Sequence, residues 1–215
     1  MTTNEKTRTY KRIDSVVFRK TIEKFGGLSN MAPGFPLQIG DISVRTSEAL
    51  YQACRFPYAE EIQKMIISQK SPMTAKMKSK PFRSQTRPDW DHVRVKVMRW
   101  SLRVKLACNW DKFRNLLLLT ADKQIVEDSR RDRFWGAVAN DEDYLEGENV
   151  LGRLLMEIRE ELKSENSKNL KIVNPPLIND FLLYNSPLPT IYAEKKHKNK
   201  EIVTAPKQLS LFDNE

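Results

Sequence analysis

Three short stretches hold the residues best suited to chemistry. In TSEALYQACRF, Glu48, Tyr51, Gln52 and Arg55 recur at i, i+3, i+4 and i+7, which places them on one face of a helix. A Glu in the first helical turn is also what the helix dipole favours, and dipole work alone accounts for Glu48. In VEDSRRDRFWG, a strand runs into Asp128 and Ser129, then Asp132, then Phe134, Trp135 and Gly136. Acids and arginines beside a Trp and a Gly, in a connecting segment, have the composition of a site carried by a loop on a rigid scaffold. A salt-bridged turn with Trp135 at the edge of the core has the same composition. In GGLSNMAPGF the glycines let backbone amides approach a ligand, and Asn30 can read an amide or a hydroxyl. Asn149, opening a helix, leaves amide N–H groups for an anion such as phosphate, or simply caps that helix.

Other chemistries lack their residues. His92, His197, Cys54 and Cys108 are too scattered for a zinc site. There is no P-loop, no dinucleotide fingerprint and no Ser nucleophile elbow. What remains is carboxylates, amides and tryptophans, and no cofactor is expected.

The elements that must position them form a mainly helical α+β domain with a small β element. SVVF is a strand over 15–18, and residues before Asp14 read as frayed. FPLQIGDISVRT is a hairpin turning at Gly40 and Asp41. EALYQACRFPYAEE, capped by Thr46 or Ser47, is a helix that continues through AEEIQKMIISQ. SPMTAKMKSK is a short helix and PFRSQTRP a loop. The segment begun by Asp89 is a long helix with two apolar stripes: Val93, Val97, Trp100 and Val104, then Val95, Met98, Leu102 and Leu106. It should therefore be central and covered on two sides. WDKFRNLLLLT is a further helix and QIVED a short strand. In ENVLGRLLMEIREELKSE, Leu151, Leu154, Leu155, Ile158 and Leu162 share a face behind a capping Asn149. The domain is expected over 14–163. A proline-rich extension, 164–192, should lie across it, and a basic tail over 193–215 should be disordered.

Composition sets the surroundings. The chain has 215 residues, with 37 Lys and Arg against 28 Asp and Glu, a net charge of +9 that draws it towards polyanions. No apolar run is long enough to span a membrane, and the start MTTNEKTRTYKRIDS lacks the apolar core of a secretion signal. Two cysteines make no disulfide framework, and a reducing cytoplasm is the expected compartment.

Taken in order, FGGLSNMAPGFPLQIGDISVRTSEALYQACRF, SPMTAK, RPDWDHVRVKVMRWSLRVKL, LLLLTADKQIVEDSRRDRFWG and GENVLGRLLMEIREEL resemble the NADAR family, from about residue 18 to 162. That resemblance implies a riboflavin-pathway N-glycosidase-like fold and hydrolysis of N-glycosidic bonds. The substrate would be a phosphoribosylated metabolite or, as in antitoxins of the family, ADP-ribose on guanine in DNA, undoing a toxin encoded nearby. Family positions fall on Glu48, Trp90, Asp128 and Trp135, with Asn30, Gln52, Asp132 and Asn149 as ligand contacts. Asp128 is the expected carboxylate for the developing oxocarbenium ion and its water, with Glu48 sharing that work or holding ribose hydroxyls. Trp90 and Trp135 would wall in a base, and Arg55, Lys105 and Asn149 would hold phosphate. The family has Lys where Arg55 stands, and Arg cannot serve as a titrating base or nucleophile. The family glycine after the Trp-Gly step is also replaced, in WGAV.

The chain ends in APKQLSLFDNE. Its QLSLF resembles the peptide by which bacterial replication and repair proteins dock on the sliding clamp. Leu209, Leu211 and Phe212 would be the anchors and Gln208 the polar contact. A flexible coil over 192–207 would reach roughly 20–25 Å. A chance match, or a tail packed on its own domain, would read the same. The expected activity is removal of ADP-ribose from modified guanine in DNA, single-stranded or with the base flipped out. Hydrolysis of a small phosphoribosylated metabolite is the alternative, and a non-catalytic module that binds ADP-ribose or nucleic acid is the third.

Overall fold

A computed structural model gives the structure, which describes residues 6–193. The elements in chain order are β1 (Arg8–Lys11), β2 (Ser15–Phe18), β3 (Leu37–Ile39), β4 (Ile42–Val44), α1 (Ser47–Ala53), α2 (Glu60–Ile67) and α3 (Pro72–Ser79). They continue with α4 (Trp90–Cys108), α5 (Trp110–Leu118), β5 (Gln124–Glu127), β6 (Val138–Ala139), β7 (Tyr144–Gly147) and α6 (Val150–Lys163). Four two-residue strands close the list: β8 (Ile172–Val173), β9 (Leu182–Leu183), β10 (Ser186–Pro187) and β11 (Ile191–Tyr192). The domain is α+β and mainly helical, as the sequence predicts.

Helix α4 runs through the middle. Val93, Val97, Trp100 and Val104 are buried on one stripe, Met98, Leu102 and Leu106 on the other, and Val95 packs half-buried beside them. On α6, Leu151, Leu154, Leu155, Ile158 and Leu162 are all buried against α4, α5 and β5. Each such side chain contributes about 1.5–3 kcal/mol. Arg99 and Arg103 of α4 reach Glu157 and Glu161 of α6 at 2.8 and 2.6 Å, closing the solvent edge of that packing.

The strands make small separate sheets. Strand β2 pairs in parallel with β5, and β1, β7 and β6 form an antiparallel sheet in that order. The first of these strands corrects the expectation of a frayed start: Tyr10 is buried and β1 pairs with β7 along its whole length. The β3–β4 hairpin turns at Gly40, whose φ of +57° suits the first central position of a type II′ turn.

The expected continuous helix over 48–69 is broken in two. Thr46 caps α1 by accepting the Ala49 N–H at 3.3 Å, and α1 stops at Ala53. Pro57 then supplies no N–H and disfavours helical geometry at Phe56, so α2 starts afresh at Glu60. The expected loop PFRSQTRP, 81–88, begins within a 3-10 run, Lys80–Gln85.

Beyond α6 the chain crosses the domain, burying Leu170, Val173, Phe181, Leu183, Leu188 and Ile191. Arg87 donates to the Asn179 carbonyl at 2.7 Å, and Gln63 donates to that of Leu182 at 2.9 Å. No residue of 164–192 lines the cleft described below. Among the described residues no helix is long and apolar enough to cross a membrane.

Candidate active site

A cleft of about 370 Å³ opens between α1, α3, the start of α4 and the loop after β5. Its floor is Glu48. The carboxylate is buried and held at both ends: Asn30 Nδ2 donates to Oε2 at 2.7 Å and Gln52 Nε2 donates to Oε1 at 2.8 Å. The i, i+4 spacing of α1 supplies the second of these bonds. The first comes from the 26–30 segment, whose Asn30 carbonyl accepts the Glu48 N–H at 3.1 Å. Its amide nitrogen is committed, and Asn30, which lines the cleft, keeps its Oδ1 buried with no hydrogen-bond partner. An orphaned acceptor of this kind marks a place for a donor.

The segment is anchored from beneath by Lys105. This side chain is wholly buried, donating to the carbonyls of Gly27 at 2.7 Å and Ser29 at 2.9 Å, between the rings of Phe35 and Phe113. Burial lowers its pKa from 10.5 to about 7, helped slightly by the positive charge of Lys112. Lys105 therefore supports the loop that carries Asn30, and it does not line the cleft. The expectation of a phosphate contact there is corrected: a fully buried ammonium whose donors are committed to carbonyls is out of a ligand's reach.

The carboxylate facing Glu48 is Glu127, where the sequence points to its neighbour Asp128. Strand parity decides between them. Ile125 belongs to the main core and Val126 to a second cluster with Tyr10, Ala137 and Leu145, so the two faces of β5 are both covered. Glu127 shares the Ile125 face and meets the cleft. Asp128 shares the Val126 face, where its Oδ2 accepts from Arg12 at 2.9 Å. Burial pushes the Glu127 carboxyl up from 4.5 to about 7, assisted by the nearby negative charges of Glu48 and Asp132 and opposed by Lys76 and a Ser29 hydrogen bond. Glycine at 136 is required for this geometry, because a Cβ there would lie 2.5 Å from the Glu127 carbonyl oxygen.

Asn149 serves β5. It adopts a left-handed conformation, φ +47°, and caps no helix amide with its side chain. Its Nδ2 donates to the Ile125 carbonyl at 2.8 Å and its Oδ1 accepts the Glu127 N–H at 3.2 Å, fixing the strand from which Glu127 projects. The N–H groups of Val150 and Leu151 go to the carbonyls of Phe134 and Trp135, both at 3.0 Å. The first two amides of α6 are therefore taken by backbone carbonyls and Asn149 does not line the cleft, so the expected phosphate contact there is a second correction.

Asp132 lines the cleft and shapes its loop, accepting the N–H groups of Phe134 at 3.0 Å and Trp135 at 2.9 Å. The aromatic wall is continuous: Tyr51 lies 5.1 Å from Trp90 and 5.7 Å from Trp135, centre to centre. At the rim stand Arg55, Lys76, Arg83 and Arg94. Arg55 donates to Gln52 and to Thr86, both at 3.1 Å, yet its Nε is buried without a partner. Among the described residues neither Arg55, Lys76 nor Arg83 lies within ion-pair distance of a carboxylate. Burial, first, and the positive charge of Arg83 both lower the Arg55 pKa. Cations without an ion-pair partner at the rim suit an anion there, while the carboxylates of Glu48, Asp91, Glu127 and Asp132 line the same cleft.

Of the residues singled out in the sequence, the structure thus gathers Asn30, Glu48, Gln52, Arg55, Trp90, Asp132 and Trp135 around one cleft, and leaves Asp128, Lys105 and Asn149 outside it. Residues missed by the sequence reading include Glu127, Tyr51 as part of the wall, and the rim cations Lys76, Arg83 and Arg94. Gln208, Leu209, Leu211 and Phe212 lie outside the described residues.

Known proteins bear on the whole. The N-glycosidase YbiA of Escherichia coli is 35% identical over 156 residues, covering 71% of this chain and 91% of its own. The maize chloroplastic riboflavin biosynthesis protein PYRR is 35% identical over 160 residues, 68% of this chain but 25% of its own. The NMR structure of E. coli YbiA superposes with a TM-score of 0.59 at 33% identity, covering 71% of this chain and 90% of that one. A NADAR domain is matched over residues 17–163, and the chain belongs to the NADAR family.

Proposed function

We propose that the chain is an N-glycosidase that hydrolyses the C1′–N bond of a phosphate-bearing ribosyl substrate. The observation that carries this reading is the pair of unlike carboxyl groups across one cleft. Glu48 is pinned by two amides, while Glu127 has its pKa raised to about 7. A fixed carboxylate suits stabilisation of an oxocarbenium ion, and a carboxyl titrating near neutrality suits proton transfer. As the C1′–N bond breaks, its electron pair goes to the base nitrogen, which takes the Glu127 proton. Water then attacks C1′ and returns a proton to Glu127, leaving a ribose hydroxyl and a free N–H base. Trp90, Tyr51 and Trp135 wall in the base, Asn30 Oδ1 accepts from a ribose hydroxyl or a base N–H, and Arg55 with Arg83 holds phosphate.

The finer reading is removal of ADP-ribose from guanine in DNA. The net charge of +9 supports a polyanionic substrate. The terminal QLSLF supports recruitment to a sliding clamp, which an enzyme working on replicating DNA would use. A small phosphoribosylated metabolite is the second reading, favoured by the name of the maize relative. Incubating the protein separately with an ADP-ribosyl-guanine oligonucleotide and with a phosphoribosylamine, and resolving the products by chromatography, tests both. Release of ADP-ribose with restored guanine is expected. Turnover of the small substrate alone would select the second reading, and turnover of neither would reject glycosidase activity.

A further inference from the structure

Between 70 and 88 the chain carries Lys70, Lys76, Lys78, Lys80, Arg83 and Arg87 and not one acidic residue. Arg87 is buried and committed to Asp89. The other five are exposed, and among the described residues none lies within ion-pair distance of a carboxylate. The stretch is α3 and the 3-10 run that follows, and its inner side is fixed: Ala75 is buried, and Ser79 Oγ donates to Gln52 Oε1 at 3.0 Å. The outer side repeats at i, i+3, i+4 and i+7 as Met73, Lys76, Met77 and Lys80. Met73 and Met77 are 56% and 58% exposed, and Lys76 enters the cleft.

Folding alone does not account for this face. Lysines four apart repel along a helix, and two neighbouring exposed methionines gain nothing from water. The helix dipole favours cations in the last turn, which covers Lys76 and Lys78, with Lys80 at the C-cap, but not Lys70 or the methionines. Charge and thioether together fit one ligand: anionic phosphates spaced along a strand, with apolar base faces between them. Arg55 and Arg83, which line the adjoining cleft, have no carboxylate within ion-pair distance among the described residues and extend the same positive charge.

We propose that the α3 face, continued by Arg83, is the docking track for a single-stranded DNA segment flanking the nucleotide held in the cleft. This rests on the DNA form of the proposed function. It enlarges the substrate from one ribosylated base to a strand, with phosphodiesters on Lys80 and Lys70 and unstacked bases over Met73 and Met77.

The test is fluorescence anisotropy of the full chain with dye-labelled, unmodified single-stranded DNA, so turnover plays no part in the readout. Wild type is compared with Lys70→Gln/Lys80→Gln and, separately, Met73→Ala/Met77→Ala. The basic residues after 193 are present in every protein and cancel. Two lost phosphate contacts lower the slope of log affinity against log salt by about 1.4, equivalent to roughly tenfold weaker binding at 0.15 M. The methionine variant should weaken binding with the slope unchanged. Thermal melting at the wild-type midpoint confirms folding, as expected for exposed positions. Equal binding by wild type and the lysine variant overturns the proposal. So does an absence of binding at 0.15 M salt, or tighter binding of duplex DNA or of RNA than of single-stranded DNA. Hydrolysis of a small ribosyl substrate without DNA binding would leave the glycosidase in place and remove only the track.

Discussion

Replacing Glu127 with Gln should make the protein more stable above neutral pH while abolishing its chemistry. The folded-state pKa is raised from 4.5 to about 7, so the folded protein holds this proton more tightly than the unfolded chain does. Between those two values the native state binds more protons, and wild-type stability falls as pH rises. Below 4.5 the group contributes no penalty, and above about 7 the penalty is complete. At about 1.4 kcal/mol per pH unit the separation corresponds to roughly 3 kcal/mol. Glu127 is half-buried and lines an open cleft, so about 1–2 kcal/mol is the expected size. Glutamine keeps the shape without the charge, and the variant should match wild type at pH 4.5 and exceed it by that amount at pH 8. Urea denaturation at the two pH values reads this directly. A variant equally stable at both pH values relative to wild type, or less stable at pH 8, would refute the buried, charge-crowded carboxyl on which the proton-transfer role depends.

Asp128→Asn removes a partly exposed pair with Arg12 and should cost at most about 1 kcal/mol, measured by urea melts at pH 7. Lys105→Met strands the carbonyls of Gly27 and Ser29 and should destabilise by about 2 kcal/mol at pH 9.5. Because burial lowers the Lys105 pKa from 10.5 to about 7, wild type gains stability as pH rises between those values. The cost of this variant should therefore shrink at pH 7, and equal costs at both would contradict the account. Leu211→Ala/Phe212→Ala should abolish binding to a purified sliding clamp in surface plasmon resonance; undiminished binding would remove QLSLF from the account.

Much of this could be read in the sequence. The two stripes on α4 and the single face of α6 are long 3.6-residue patterns, and packing follows them closely. The cleft gathers Glu48 and Gln52 because helical spacing keeps them on one face, while Arg55 follows in the turn beyond α1, where its N–H donates to the Gln52 carbonyl at 3.3 Å. The misses are of three physical kinds. QIVED gives two adjacent acids after two adjacent apolar residues, so alternation could not show which acid faces inward. That choice is made by Tyr10 and Leu145, which cover the Val126 side and come from β1 and β7. Asn149 reads as a cap, but its left-handed backbone turns the side chain onto β5, a contact between residues 22 and 24 positions apart. Lys105 lies at a spacing that fits either a buried or an exposed site, and only the carbonyls of the 26–30 segment, nearly eighty residues away, hold it inside. A signal for Glu127 did exist: a strand buried on both faces must end with one of its two acids facing each side.

The central claim is hydrolysis of a C1′–N bond by the Glu48 and Glu127 pair. Its most direct test is mass spectrometry of an ADP-ribosyl-guanine oligonucleotide and of a phosphoribosylamine after incubation with wild type, Glu127→Gln and Asp128→Asn. Wild type and Asp128→Asn should release the sugar at rates within a few-fold of each other, and Glu127→Gln should be slower by 100-fold or more. Full activity in Glu127→Gln with loss in Asp128→Asn would contradict the account and return the chemistry to the other face of β5.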